Sequence, residues 1–138
     1  MTTVPRTANE ILQPIGSVRI WLRAEAGAAF VAGIALYLWL GAPWLALLPL
    51  LLVPDVSMVG YLHSPRSGAI TYNLVHNWVL GLGVLGLGLG SGMVPVSVAG
   101  AILIAHVGMD RMLGYGLKLS SFQETHLGRI GREGKGQS

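Results

Sequence analysis

Cysteine is absent from the chain, which excludes disulfides, thiolate metal ligands and a cysteine nucleophile. Charge is scarce as well: Asp, Glu, Lys and Arg make up 11% of residues, against about 25% in a soluble domain. So little charge cannot cover a water-facing globule. With 52% hydrophobic residues and a mean hydropathy of +0.61, the chain is suited to lipid as its solvent. No repeat of about 20–50 residues recurs, which excludes a solenoid or propeller. Ser57, Ser91 and Ser97 have no base at a spacing that suggests a triad. At 138 residues there is room for one domain.

What is present is a set of four apolar runs, each near the ~20 residues that cross a bilayer. They extend over Val18–Leu40, Trp44–Leu62, Ala69–Gly90 and Val94–Leu117. Residues 1–17 form a polar tail and residues 118–138 a polar, basic one. The expected fold is therefore all-α, an integral membrane four-helix bundle over 18–117. The first run begins behind Asn9, Glu10, Gln13 and Pro14 and ends without a small-residue cleavage site, so it reads as a retained helix. Trp21, Trp39, Trp44 and Trp78 fall near span ends, as an aromatic belt does.

The third run holds Gly81, Gly83, Gly86, Gly88 and Gly90. Gly81, Gly83 and Gly86 match G-x-G-x-x-G by count, but no strand–helix context surrounds them. Gly86 and Gly90 are four apart, a spacing that lets helix backbones approach closely in lipid. This helix is thus the expected packing surface, and the surface through which a homo-oligomer would form.

All nine Lys and Arg fall on one side. Arg6, Arg19 and Arg23 precede or open the first run, and Arg66 lies between the second and third. Arg111 and Lys118 close the fourth, and Arg129, Arg132 and Lys135 follow it. The loops at Gly41–Pro43 and Ser91–Met93 carry no charge. The positive-inside rule then predicts an inner (plasma) membrane protein with both termini cytosolic. The net charge of +3 is matched to anionic lipid head groups rather than to nucleic acid.

This topology brings ionisable groups to one depth. Glu25, Asp55, His76 and Asp110 each fall about 6–12 Å below the cytosolic boundary, with His106 a turn deeper. An acid or base facing lipid costs about 2.5–3.5 kcal/mol at mid-helix, so convergence inside the bundle is favoured. His106 and Asp110 are i, i+4 and share a face; Gly108 between them leaves space for another group to come close. Tyr72, Asn73, His76 and Asn77 form a second polar set. His63 lies in the polar turn and is expected to be solvated.

Nitrogen and oxygen donors of this kind suit zinc, iron or manganese. Asp55, His76, His106 and Asp110 are the expected metal ligands, with His126 reaching back from the tail. Glu25 and Arg111 complete the candidate catalytic set, Arg111 facing developing negative charge. The leading expectation is a membrane-embedded enzyme acting on a lipophilic small molecule, by metal-assisted hydrolysis. A metal-free alternative uses an acid and an imidazole for isomerisation or cyclisation of a terpenoid-like substrate. A proton or ion transporter and a structural membrane subunit remain as further alternatives, although the outer half of the runs has almost no polar residue to carry an ion.

The strings Pro54-Asp55-Val56-Ser57-Met58-Val59-Gly60-Tyr61, Gly68-Ala69 with Tyr72-Asn73 and His76, Ala105-His106-Val107-Gly108-Met109-Asp110-Arg111 with Gly114-Tyr115-Gly116-Leu117-Lys118, and Thr125-His126-Leu127-Gly128 resemble a small bacterial membrane family catalogued as domain of unknown function 4260. The resemblance covers about residues 19–131 and implies four membrane helices. It carries no activity.

Overall fold

The computed structural model describes residues 16–118, together with 124–125 and 128–129. Helix α1 (Gly16–Trp39) is rich in alanine, the strongest helix former. It stops where Gly41 turns to φ 80° and Pro43 follows. Helix α2 (Trp44–Leu52) contains Pro49 and continues as a 3₁₀ segment, Val53–Leu62. Ten residues is long for 3₁₀ geometry, which rarely exceeds 3–4. After a Ser64 cap come α3 (Pro65–Val75), α4 (Trp78–Ser91) and α5 (Val94–Leu113). Beyond them, Glu124–Thr125 pairs antiparallel with Gly128–Arg129.

Three elements are long and apolar enough to cross a membrane: Val18–Trp39, Trp44–Leu62 and Val94–Leu113. A fourth crossing exists if α3 and α4, bent by 41°, act as one broken span. The third apolar run is thus not the continuous helix expected from 69 to 90. Asn77 breaks it. Its Nδ2 donates to the Asn73 and Leu74 carbonyls at 2.9 and 2.7 Å, and its Oδ1 accepts from the Leu80 N–H at 2.8 Å. One side chain therefore ends α3 and caps α4. The last run also stops early, at Leu113 rather than Leu117, because Gly114 takes φ 98°.

Helix α5 is the hub. Helices α1 and α4 pack along it, while α3 packs on the 3₁₀ segment. Gly108 lets α1 come close: a Cβ there would fall 2.6 Å from the Phe30 nitrogen. The space expected beside Gly108 is filled by helix α1. On α4 the glycines that meet α5 are Gly81 and Gly88, against Ile104 and Ser97. Gly83, Gly86 and Gly90 have nothing within 4 Å. The expected Gly86/Gly90 pair therefore faces outward, because the inward face of α4 repeats every seven residues.

The compact core is small: Tyr37, Ala101 and Ile102, with Leu36, Leu47, Leu50 and Val98 around them. Large apolar side chains cover the outside instead, among them Val31, Leu48, Val56, Ile70, Val79 and Leu87. A water-soluble monomer rarely shows apolar patches of this extent. Trp21, Trp39 and Trp44 are 70–77% exposed at span ends. Arg23 donates to the Leu113 carbonyl at 3.1 Å, so the start of α1 and the end of α5 lie together at the charged end of the bundle.

Candidate metal centre

Two breaks in the helices, together with one face of α5, assemble one polar cluster. In the 3₁₀ segment each carbonyl takes the N–H three residues on, as Leu50 does from Val53. The partner of the Leu51 carbonyl would be residue 54, a proline with no N–H. That carbonyl is instead taken by His106, whose Nδ1 lies 2.6 Å away. Asp55 stands one residue further, in the first turn of the segment. The α3–α4 break sets His76, with φ −95° and ψ 43°, at the end of α3. Arg111 donates to the His76 carbonyl, freed by the break, at 3.1 Å.

Both imidazoles are oriented by backbone. His76 Nδ1 lies 2.9 Å from the Tyr72 carbonyl. A carbonyl only accepts, so Nδ1 carries a proton in each ring, and a neutral ring then presents its Nε2 lone pair. The two Nε2 atoms are 2.9 Å apart. Two lone pairs at that distance repel; either a proton on one ring, shared with the other, or a metal ion between them removes the repulsion. Asp55 Oδ1 is 3.4 Å from both Nε2 atoms. Asp110 Oδ2 is 3.8 Å from His76 Nε2 and 3.6 Å from His106 Nε2. All four ligand atoms lie within 4.8 Å of one another.

Zinc bound at about 2.0–2.1 Å holds tetrahedral N and O ligands about 3.3 Å apart. The separations here bracket that edge. The surrounding shell also fits a metal site, in which a ligating imidazole gives its other N–H to a carbonyl or carboxylate. Tyr72 extends that shell: its hydroxyl donates to Asp110 Oδ2 at 2.8 Å, and its ring stacks on His76 at 3.7 Å. His76 and His106 are buried, and the Asp110 side chain is 15% exposed. Asp55, at 42%, is the accessible ligand.

Of the expected residues, the structure brings Asp55, His76, His106 and Asp110 together and leaves Glu25 outside that group. Glu25 has the right depth but the wrong face: its neighbour Ala26 is buried while Glu25 is exposed. Successive helix positions lie about 100° apart around the axis, which carries Glu25 away from the cluster. It lines a separate recess of about 550 Å³ with Trp78 and Arg111. Arg111 sits behind His76 and holds the helix break, a positioning contact. His126 lies outside the described residues. His63 is exposed, as expected. Ser57 Oγ comes to 3.5 Å from His76 Nδ1, but that nitrogen's proton is directed at the Tyr72 carbonyl, so Ser57 has no free base.

Two contributors carry no local signal in the sequence. The side chain of Asn73 pairs with the backbone of Lys118 in both directions, at 2.6 Å each, tying the chain after α5 back onto α3. Lys118 thereby becomes buried, its Nζ 4.9 Å from the Tyr72 ring centre. Burial pushes its ammonium below the ordinary lysine range, and Asp110 pulls it back up. The Leu51 carbonyl is the other: only the proline at 54 hints at it.

Fold and cluster define a helical protein with three or four segments long and apolar enough to cross a membrane, and a group of side chains that could hold one divalent ion. The chain belongs to a family of unknown function: the family described as Domain of unknown function (DUF4260) matches residues 19–130. That range includes all four cluster residues. No curated protein and no solved structure matches the chain.

Proposed function

We propose that this chain is a membrane-embedded hydrolase in which Asp55, His76, His106 and Asp110 hold one divalent metal, zinc by preference. Its place is the inner membrane, with the cluster near the cytosolic face, and its substrate is a lipophilic ester. The observation that carries the reading is the pair of imidazoles with Nδ1 tied to backbone and both Nε2 atoms turned toward two carboxylates. A divalent ion satisfies both imidazoles and both acids at once, which is what supports this reading.

A divalent ion in this cluster supplies a Lewis acid and lowers the pKa of a water. His76, His106 and Asp110 are the fixed, buried ligands, a set of the His₂-carboxylate kind that leaves a fourth position for catalysis. Asp55, the accessible member of the group, would complete the ligand set and could give way to a water. Its carboxylate then takes one proton from the water as the remaining hydroxyl adds to the ester carbonyl carbon. The acyl C–O bond breaks, the alcohol leaves with the proton from Asp55, and the acid is the second product. Tyr72 keeps Asp110 aimed throughout, and Arg111 keeps His76 aimed by holding the helix break.

The second reading is a structural metal clamp, favoured by the fact that four protein ligands already complete a tetrahedron. One experiment separates the two. Gently purified protein is assayed for metal and for hydrolysis of long-chain esters, beside Asp55→Ala. The hydrolase reading expects metal in both proteins and turnover only in the unmodified chain. Turnover absent from metal-loaded, folded protein across an ester series leaves the clamp.

A further inference from the structure

A groove runs from the cluster toward the uncharged end of the bundle. Its walls come from the α2/3₁₀ junction, the end of α3 and one face of α5, and it encloses about 550 Å³. Leu50, Pro54, Val75, Val98 and Ile102 are among its lining residues, and Ser57 is the one lining side chain with a polar group. At one end it adjoins the cluster through Ser57, whose Oγ is 3.5 Å from His76 Nδ1, and Ile102 stands four residues before His106 on the same face of α5. Along α5 it extends from Pro95 to Leu103. Eight residues of helix rise about 12 Å, the length of roughly ten extended carbons from standard C–C geometry.

We propose that this groove holds the single hydrocarbon tail of an amphiphile whose carbonyl-bearing head lies at the Asp55–His76–His106–Asp110 cluster. The inference deepens the hydrolase reading and rests on it for the chemistry at the head. The occupant follows from the polarity of the groove: two carboxylates and two imidazoles at one end, unbroken aliphatic surface along the rest. A polar head with one apolar chain matches both ends at once. The chain then points from the charged end of the bundle into the bilayer, the attitude of a membrane amphiphile. The volume falls within the range of about 300–1,000 Å³ typical of small-molecule sites.

The test uses the full chain in nanodiscs and a decanoyl ester with a photoreactive diazirine at its terminal carbon. Cross-linked peptides are mapped by mass spectrometry, and metal content is measured on the same samples. The expected result is saturable labelling of the segments around Leu50–Ser57 and Pro95–Leu103, about tenfold above the outward α4 face at Leu82 and Leu87, a ratio equivalent to about 1.4 kcal/mol. Ala99→Trp and Val56→Trp fill the groove from positions that are already exposed, so neither replaces a buried side chain, and helical circular dichroism checks the fold of each. Each abolishes the enrichment and leaves the metal content unchanged. Uniform labelling of all outward faces, labelling that survives both variants, or cross-links joining two copies of the chain overturns the proposal. Groove labelling in protein that binds no metal sinks the hydrolase reading instead, while the tail site stands.

Discussion

Removing the proposed metal is the perturbation whose effect can be worked out most fully. The four ligand atoms come from the 3₁₀ segment, the end of α3 and α5, and they lie within 4.8 Å only when these elements are packed. An ion bound there stabilises the folded chain and not the unfolded one. At free zinc one hundred times the dissociation constant, that linkage is worth about 2.7 kcal/mol. For a chain of this length each kcal/mol moves the unfolding midpoint by roughly 4 °C, so a chelator should lower Tm by about 10 °C and added zinc should restore it. Helical circular dichroism in detergent follows the transition, and elemental analysis gives the stoichiometry.

The same argument ranks the ligands. His106→Ala removes a fully buried ligand and leaves the Leu51 carbonyl without its donor, at a cost of about 1–3 kcal/mol even without metal. Stoichiometry, and not Tm alone, is therefore its readout, and it should fall to background. Asp55→Ala removes the accessible ligand and leaves two imidazoles and a carboxylate, so metal is retained with weaker affinity. Folded protein that carries no metal, whose Tm is indifferent to chelator and zinc alike, refutes the reasoning. So does His106→Ala protein loaded as fully as the unmodified chain.

Four further outcomes follow from individual contacts. Tyr72→Phe deletes the hydrogen bond to Asp110 and should weaken metal affinity by about 10–100-fold with the helical content intact, as read by competition with a zinc dye. Pro54→Ala supplies the missing N–H to the Leu51 carbonyl, which competes with His106; affinity should fall even though alanine is the better helix former, and equal or tighter binding contradicts the proposed role of the proline. Gly108→Ala presses a methyl into the α1 backbone at Phe30 and should cost about 1–3 kcal/mol, whereas Gly86→Ala meets nothing and should be neutral or slightly stabilising, both by thermal unfolding. Metal affinity should fall on acidification, since imidazole and carboxylate ligands must release protons to bind; a titration flat across mildly acidic pH speaks against the four-ligand site.

Depth was legible in the sequence and facing was not. The one-sided placement of Lys and Arg, with the lengths of the apolar runs, put Asp55, His76, His106 and Asp110 in one layer, and the structure joins them. Glu25 meets the same rule of position along the helix yet is exposed and outside the group, because position is read along the helix and facing around it. For α1 the facing is decided by Ala26, Gly33 and the close approach of α5 at Gly108. The Gly86/Gly90 pair failed for a related reason. Spacing marks residues that share a face but does not say which face, and the contacts of α4 with α5 select Gly81 and Gly88. Lys118 was out of reach altogether, since its burial depends on a side chain 45 residues away.

The breaks in the helices and the cluster are one structure. A straight helix in lipid satisfies every carbonyl internally, and has none to spare for orienting an imidazole. Here Pro54 leaves the Leu51 carbonyl to His106, and the turn at His76–Asn77 leaves the His76 carbonyl to Arg111. Asn77 takes up the two carbonyls that the same turn would otherwise expose. Each irregularity therefore has a polar side chain fitted to it, and two of the three lie on α5, where His106 and Arg111 are five residues apart. A helix break that served packing alone would have no need of a histidine from the neighbouring helix. The fixed orientation this gives to both imidazoles is what a metal needs in advance of binding.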